Sequence, residues 1–277
     1  MITKIFLFTV AIVFLYIARR PHPVPNRQGT KFNDTNKTVN FSKSQKEKAL
    51  TVASYNVQTG KSLDGVRNIH RAADVLSHVD IAGVQEVYAQ SWTNKLGLGT
   101  SQTETLAIKG NFAWLFCPTR FRWFRENRGN AILSKLPINA WQTLMLPDKT
   151  GISFRNMTVI EFNWQGQDCY FINTHLHTST GKTEQLKKVL DEFNKYPNAI
   201  LVGDFNSTPD TDLLESFLGS NNAVDAILRS NADNKCQERI DWIITNGWTV
   251  QSGKYIEKGI SDHPYYEVTL TLNTENS

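Results

Sequence analysis

The sequence predicts one α/β domain spanning residues 50–277, with sheets that mix parallel and antiparallel neighbours. Three observations carry this expectation. The early β-rich runs are separated by stretches of helical periodicity, the pattern of parallel crossovers. The middle runs follow one another through short turns such as Trp164-Gln-Gly-Gln167, which is hairpin spacing and argues against a purely doubly wound parallel sheet. Hydrophobic residues make up 40% of 277 and charged residues 20%, enough for a packed core, which excludes global disorder. Three cysteines in a chain of this length exclude a disulfide-framed mini-fold.

In chain order, β runs are expected at 51–57, 80–85, 112–117, 130–134, 156–164, 168–174, 199–203, 239–245 and 264–272. Helical periodicity covers 66–78, 183–195 and 211–218. Ahead of the domain, 1–18 read as a hydrophobic anchor or signal segment. The uncharged run 5–18 rises about 21 Å as a helix, short of a hydrocarbon core of about 30 Å, and counting from Ile2 gives a marginal span. No small-residue cleavage site follows, only Arg19-Arg-Pro-His-Pro23, so an uncleaved membrane anchor is preferred to an exported chain with a cleaved signal. Residues 19–49 read as a solvated, polar, basic linker. Asn33, Asn36 and Asn40 fit the glycosylation pattern, which a polar linker also produces. Residues 1–50 carry nine Lys/Arg and two acids. That net +7 against +4 for the whole chain leaves the remainder at −3 and argues against a wide nucleic-acid-binding surface.

Polar residues gather where the apolar β runs end: Tyr55-Asn56, Gln85-Glu86, Asn173-Thr-His175, Gly203-Asp-Phe-Asn206, Arg239-Ile-Asp241 and Ser261-Asp-His263. Such runs would place these groups on one rim of a sheet, where clustered carboxylates repel unless a cation sits among them. Oxygen donors without cysteine suit Mg²⁺, with Mn²⁺ as the alternative, rather than zinc. Singly, each has a bland explanation: an Asx turn at Gly203–Asn206, a helix cap at Glu86, a structural histidine at 175 or 263. Together, six such elements in one domain point to a catalytic rim.

This set, with Arg128-Gly-Asn-Ala-Ile-Leu-Ser134, resembles the endonuclease/exonuclease/phosphatase superfamily from about residue 51 to 272. The resemblance implies a four-layered α/β sandwich of two mixed β-sheets flanked by helices, and a metal-dependent phosphoesterase; a monomer is expected, though the residues do not fix the oligomeric state. It implies catalytic roles for His263 (general base), Asp241 (orienting it), His175 (on the scissile phosphate, protonating the leaving group), and Asp204 and Asn206 (orienting the nucleophile). It assigns the metal to Glu86, Asn56 and Asp262. The resemblance leaves the substrate open. The stretch 119–128 holds Arg120, Arg122, Arg125 and Arg128 among three aromatics. It reads as a nucleic-acid contact, as a membrane-facing loop, or as a strand pair with aromatics inward and arginines solvated. A phosphodiester in DNA or RNA is the favoured substrate and a phospholipid, as for a sphingomyelinase-like enzyme, the alternative. A tethered binding protein without turnover is the remote one, because no motif residue is missing. Cys117, Cys169 and Cys236 lack metal-ligand spacing. Cys169 reads as a core residue, and a Cys117–Cys236 bridge stays open.

Overall fold

The computed structural model describes residues 2–32, 49–88, 101–122, 127–220, 222–232 and 236–273. Fifteen strands are seen among these residues: β1 (His22–Pro23), β2 (Arg27–Gly29), β3 (Leu50–Asn56), β4 (Ile81–Tyr88), β5 (Ala113–Pro118), β6 (Arg120–Phe121), β7 (Arg128–Ser134), β8 (Ala140–Met145), β9 (Asn156–Trp164), β10 (Gln167–His175), β11 (Ala199–Asp204), β12 (Val224–Asp225), β13 (Asp241–Asn246), β14 (Trp248–Ile256) and β15 (Tyr265–Leu272). The helices are α1 (Ile2–Arg19), α2 (Ile69–Leu76), α3 (Gln102–Gly110), α4 (Lys182–Phe193), α5 (Asp212–Ser220) and α6 (Ala226–Arg229).

The strands form a six-stranded sheet, β14-β15-β3-β4-β7-β5, and a seven-stranded sheet, β12-β13-β11-β10-β9-β8-β2. Each has one parallel pair, β3–β4 and β10–β11, joined by crossovers that carry α2 and α4; their other pairs are antiparallel. The β9–β10 hairpin turns on Gln165 (φ 54°) and Gly166 (φ 87°), the two positive φ angles that a two-residue turn requires. Three apolar layers follow. Val52, Ile132, Phe162, Phe171, Val202 and Ile243 pack between the sheets. Leu186, Val189, Leu190 and Phe193 of α4, at the 3–4 spacing of one helix face, cover the seven-stranded sheet. Ala72, Ala73 and Leu76 of α2, with Leu106 of α3, cover the six-stranded one. The result is the four-layered sandwich expected. Asn68 caps α2 by accepting from the His70 amide at 3.1 Å, and Ser101 caps α3 by accepting from the Glu104 amide at 3.1 Å. The sheets meet closely at Gly83, where a Cβ would lie 2.3 Å from Val202 Cγ2.

The structure departs from the sequence reading in three places. The stretch taken as a solvated tether contributes β1 and β2. β2 pairs in register with Thr143, Gln142 and Trp141 on the outer edge of β8, and β1 pairs with β6. Edge strands present unpaired backbone groups, and only the folded sheet offers them, so this segment's own composition carries no sign of its docking. β8, β14 and α3 were not expected: β14 is almost wholly half-buried or exposed and lacks the apolar run that marks a strand. The transmembrane helix is not supported, since among the described residues no helix is long and apolar enough to cross a membrane. α1 has 18 residues, about 27 Å, and Phe6, Leu7, Phe8, Val10, Phe14 and Leu15 along it are exposed. Asn33, Asn36, Asn40 and Arg125, with Trp123 and Phe124, lie outside the described residues.

Candidate active site

Strand register assembles the rim. His175 pairs with Asp204 across β10–β11, and Asp204 with Asp241 across β11–β13. Paired residues share a sheet face, so an imidazole and two carboxylates stand side by side at the ends of three adjacent strands. Gly203 (φ 147°) precedes Asp204, and a Cβ there would lie 2.1 Å from Thr174 O, so only glycine lets β11 close on β10 at this point. Beneath the rim, Phe205 and Trp242 stack with centroids 5.8 Å apart, and Trp242 Nε1 donates to Ser207 O at 2.9 Å.

The other sheet contributes through β3 and β4. Asn56 pairs with Gln85 at the ends of these parallel strands. A bulge between Val84 and Val87 breaks the β4–β7 register and puts Glu86 at φ 57°, a costly angle for a residue with a Cβ. Asn206 is likewise left-handed, at φ 50°. Backbone strain at two rim residues is the mark of positions over-determined by their surroundings. Gln85 turns between the sheets and donates to Asn173 Oδ1 at 2.8 Å, while Asn173 donates to Ala131 O at 2.9 Å. These two motif residues thus tie the sheets together beneath the site.

At the centre, His263 Nδ1 lies 2.8 Å from Asp241 Oδ2 and His263 Nε2 lies 3.7 Å from Asp204 Oδ2. His175 Nε2 is 3.3 Å from the same Asp204 oxygen. Asn56 Nδ2 donates to Asp204 Oδ2 at 3.0 Å and, longer, to Glu86 Oε1 at 3.4 Å. Asn206 donates its amide to Asp204 Oδ1 at 2.9 Å and its Nδ2 to Leu176 O at 3.0 Å. Ser261 Oγ donates to Asn56 O at 2.7 Å and fixes the loop that carries Asp262 and His263. Arg239 forms a buried ion pair with Asp225, not with the Asp241 carboxylate.

The electrostatics follow from this crowding. Burial and the neighbouring Asp241 push Asp204 up to about 7. Burial disfavours charge on His263, but the hydrogen bond and charge of Asp241, with Asp204 and Asp262, outweigh it and push the imidazole up to about 9. Burial, then Arg155 and His263, hold His175 well below the ordinary histidine range, so it is neutral at neutral pH. Asp241 Oδ1 is a buried acceptor without a donor. The site therefore carries more negative charge than its internal donors neutralise. Its oxygen donors at Glu86, Asp204, Asp241 and Asp262 fit a hard divalent cation. Among the described residues, Asp204, Asp241 and His263 are the group whose ligand atoms lie within 4.8 Å of one another, and of the two Asp241 oxygens Oδ2 is the one 2.8 Å from His263 Nδ1.

The rim brings together Asn56, Glu86, His175, Asp204, Asn206, Asp241, Asp262 and His263. Of the arginines, Arg120 and Arg128 line a cavity beside Glu86 and His175; Arg122 is not among its lining residues. In the β1–β6 pair Arg120 is half-buried and Phe121 exposed, the reverse of the aromatics-inward reading. Sequence reasoning missed three polar neighbours. Gln58 Nε2 donates to Asp262 Oδ2 at 2.5 Å, Lys182 Nζ donates to Asn206 O at 2.6 Å, and Arg155 lines the arginine cavity. Only the spacing of Gln58, two residues past Asn56, offered a signal. Cys117 and Cys169 are buried free thiols, so no bridge involves Cys117.

The family model described as the endonuclease/exonuclease/phosphatase family matches residues 53–263. No curated protein matches the chain in sequence. Among solved structures, the chain is similar to an endonuclease/exonuclease/phosphatase from Beutenbergia cavernae (20% identity, TM-score 0.66, 82% of this chain and 72% of that one). It is also similar to a mannosyl-6-phosphatase from Bacteroides thetaiotaomicron (20%, 0.59, 80% and 100%). A third is D. rerio TDP2 complexed with a single-strand DNA product (16%, 0.59, 81% and 100%).

Proposed function

The chain belongs to the endonuclease/exonuclease/phosphatase family and is a phosphoester hydrolase, and on that premise we propose that it is a Mg²⁺-dependent phosphodiesterase acting on nucleic acid. The observation that carries the mechanism is the hydrogen-bonded Asp241–His263 pair whose free Nε2 faces the shared acidic rim. Asp241 keeps the proton on Nδ1 and aims the ring; Nε2 takes the proton of the attacking water as the new P–O bond forms, and the ester P–O bond breaks with the departing oxygen taking a proton from solvent water. Asp204, braced by Asn56 and Asn206, orients that water. His175, neutral and buried, serves as a hydrogen-bond donor to the phosphate. A hard divalent cation at Glu86, Asn56 and Asp262 would neutralise phosphate charge and, by offsetting the nearby carboxylates, leave His263 unprotonated.

Nucleic acid is favoured by the arginines beside the rim, and the D. rerio TDP2 structure shows this fold accommodating a DNA product. The lipid reading also rests on an observation. The exposed apolar helix α1 runs into β1, and β1 pairs with the arginine strand β6, so a membrane-bound α1 would hold the rim near phospholipid. Nicking of supercoiled plasmid by the full chain with Mg²⁺, abolished by EDTA and by His263→Ala, is the expected result. Absence of nicking, with hydrolysis of sphingomyelin or phosphatidylinositol vesicles by the same protein, would replace the nuclease reading with the lipid one. Flotation with anionic liposomes, lost when residues 1–20 are removed, checks the membrane attachment.

A further inference from the structure

Two cavities flank the catalytic centre and share no lining residue. One holds Asp241, Asp262 and His263, with Tyr255 and Tyr266 at its wall. The other, of about 170 Å³, is lined by Glu86 and His175 on the side of the rim and by Arg120, Arg128 and Arg155 beyond. A water in the liquid takes about 30 Å³, so the second cavity has room for a phosphoryl group together with ordered water.

The three guanidiniums converge around a single lining carboxylate, that of Glu86. No carboxylate lies at ion-pairing distance from any of them among the described residues. The Nε atoms of Arg120 and Arg155 are buried without a hydrogen-bond partner. Arg128 is held in place by Tyr88, donating to its hydroxyl at 2.7 Å and lying 4.9 Å from its ring centre. Arg120 sits on the strand clamped by β1. Burial first, then Arg122, Arg128 and Arg155, push Arg120 down to about 10. Beneath, Asn156 Nδ2 donates to Pro118 O at 2.9 Å and Asn130 Nδ2 to Asn156 Oδ1 at 3.3 Å, so the floor is a fixed amide network. Guanidinium forks held in place, two of them with a partnerless Nε, match the oxygens of a phosphate.

Position then gives the cavity its meaning. In-line displacement puts the nucleophile and the leaving group on opposite sides of phosphorus. The base, His263, belongs to one cavity and the arginines to the other. We propose that the arginine cavity is a subsite for a second phosphate carried by the leaving group, so that the preferred substrate is a phosphoester whose departing alcohol is itself phosphorylated. This rests on the phosphoesterase reading above. It assigns Arg155, unmarked in the sequence, a part in specificity. The second phosphate has two sources, the next phosphate of a nucleic acid strand and a phosphorylated lipid headgroup.

The test uses the full chain and pairs of substrates that differ only in that phosphate. One arm compares thymidylyl-thymidine with and without a 5′-phosphate; the other compares glycerophosphoinositol with and without a ring phosphate. The expected result is a kcat/KM at least about tenfold higher for the phosphorylated member in one arm, and that arm identifies the source. Arg155→Met and Arg128→Met should shrink this ratio toward one; Arg155→Lys, which keeps the charge and loses the fork, should shrink it partway. Independently of turnover, inorganic phosphate titrated in EDTA and followed by ³¹P NMR should bind the parent and His263→Ala saturably, and Arg155→Met and Arg128→Met at least tenfold more weakly. Hydrolysis of both members of each pair at equal kcat/KM overturns the subsite and leaves the phosphoesterase standing. Phosphate affinity unchanged in both arginine variants does the same. No hydrolysis in either arm with Mg²⁺ or Mn²⁺ counts against the phosphodiesterase reading, and the phosphate titration then decides the subsite alone.

Discussion

Two histidine–carboxylate pairs among the described residues are of nearly equal length, and each draws on residues in or beside β15. His263 and Asp241 meet at 2.8 Å on the rim, and His78 and Glu267 meet at 2.6 Å under α2. The first is almost buried and leaves Nε2 directed at a further carboxylate, Asp204. The second spends its Nε2 on Glu267, whose same oxygen also accepts from Tyr265 at 2.5 Å, and its imidazole is nearly half exposed, at 45%. One pair keeps a nitrogen for chemistry among charges that its own donors do not neutralise. The other is closed on itself and faces solvent. A histidine–carboxylate contact is therefore not a catalytic signature; what the second ring nitrogen faces makes the difference.

Substitutions that exchange or remove these features should separate the two pairs. His263→Ala and Asp241→Asn are expected to lower metal-dependent hydrolysis of bis(p-nitrophenyl) phosphate by about 10³-fold or more, with urea midpoints near the parent's. Retention of full activity by either would remove His263 as the base. Glu86→Gln should cost on the order of 10²-fold and raise the metal concentration needed for half-maximal activity; an unchanged metal titration would move the cation elsewhere on the rim. Gly203→Ala puts a Cβ against Thr174 O and should lower stability by about 2 kcal/mol or more in urea titration. His78→Ala should lower it by only about 0.5–1 kcal/mol and leave turnover at the parent level, the opposite of His263→Ala.

The smallest effect concerns the thiols. Burial pushes Cys117 up to about 11 and Cys169 up to about 12, so in the fold both stay protonated where an unfolded thiol ionises. Their contribution to stability is thus fully present below the unfolded thiol range, about 8.5, and is lost as pH rises towards 11–12. Urea midpoints should fall over that interval, and less steeply in Cys117→Ser. Labelling of Cys117 and Cys169 by a thiol reagent at pH 8 should require unfolding.

Much of the site was legible before any coordinates. Asn56, Glu86, His175, Asp204, Asp241 and His263 each end or adjoin an apolar β run, and alternation of side chains along a strand leaves a terminal polar residue at the rim wherever its run is buried. Asn173 and Gln85 show the limit of that reasoning, since they share the pattern and turn inward to join the sheets. Gln58 had only its spacing from Asn56 to mark it, and Lys182 and Arg155 had no pattern to share. Each works through a partner far away in sequence, and a lone Gln, Lys or Arg looks the same whether or not that partner arrives.

By itself, then, the sequence determined the mixed α/β class, the hairpin at Gln165–Gly166 and most of the polar rim, because periodicity and turn chemistry are local properties of the chain, while the four layers came from the family resemblance. Tertiary structure alone decided the docking of His22–Pro23 and Arg27–Gly29, the bulge that turns Glu86, the pairing of His175, Asp204 and Asp241 in one row, and the gathering of Arg120, Arg128 and Arg155 into one cavity. Those depend on register and on edges that exist only once strands from distant parts of the chain have paired.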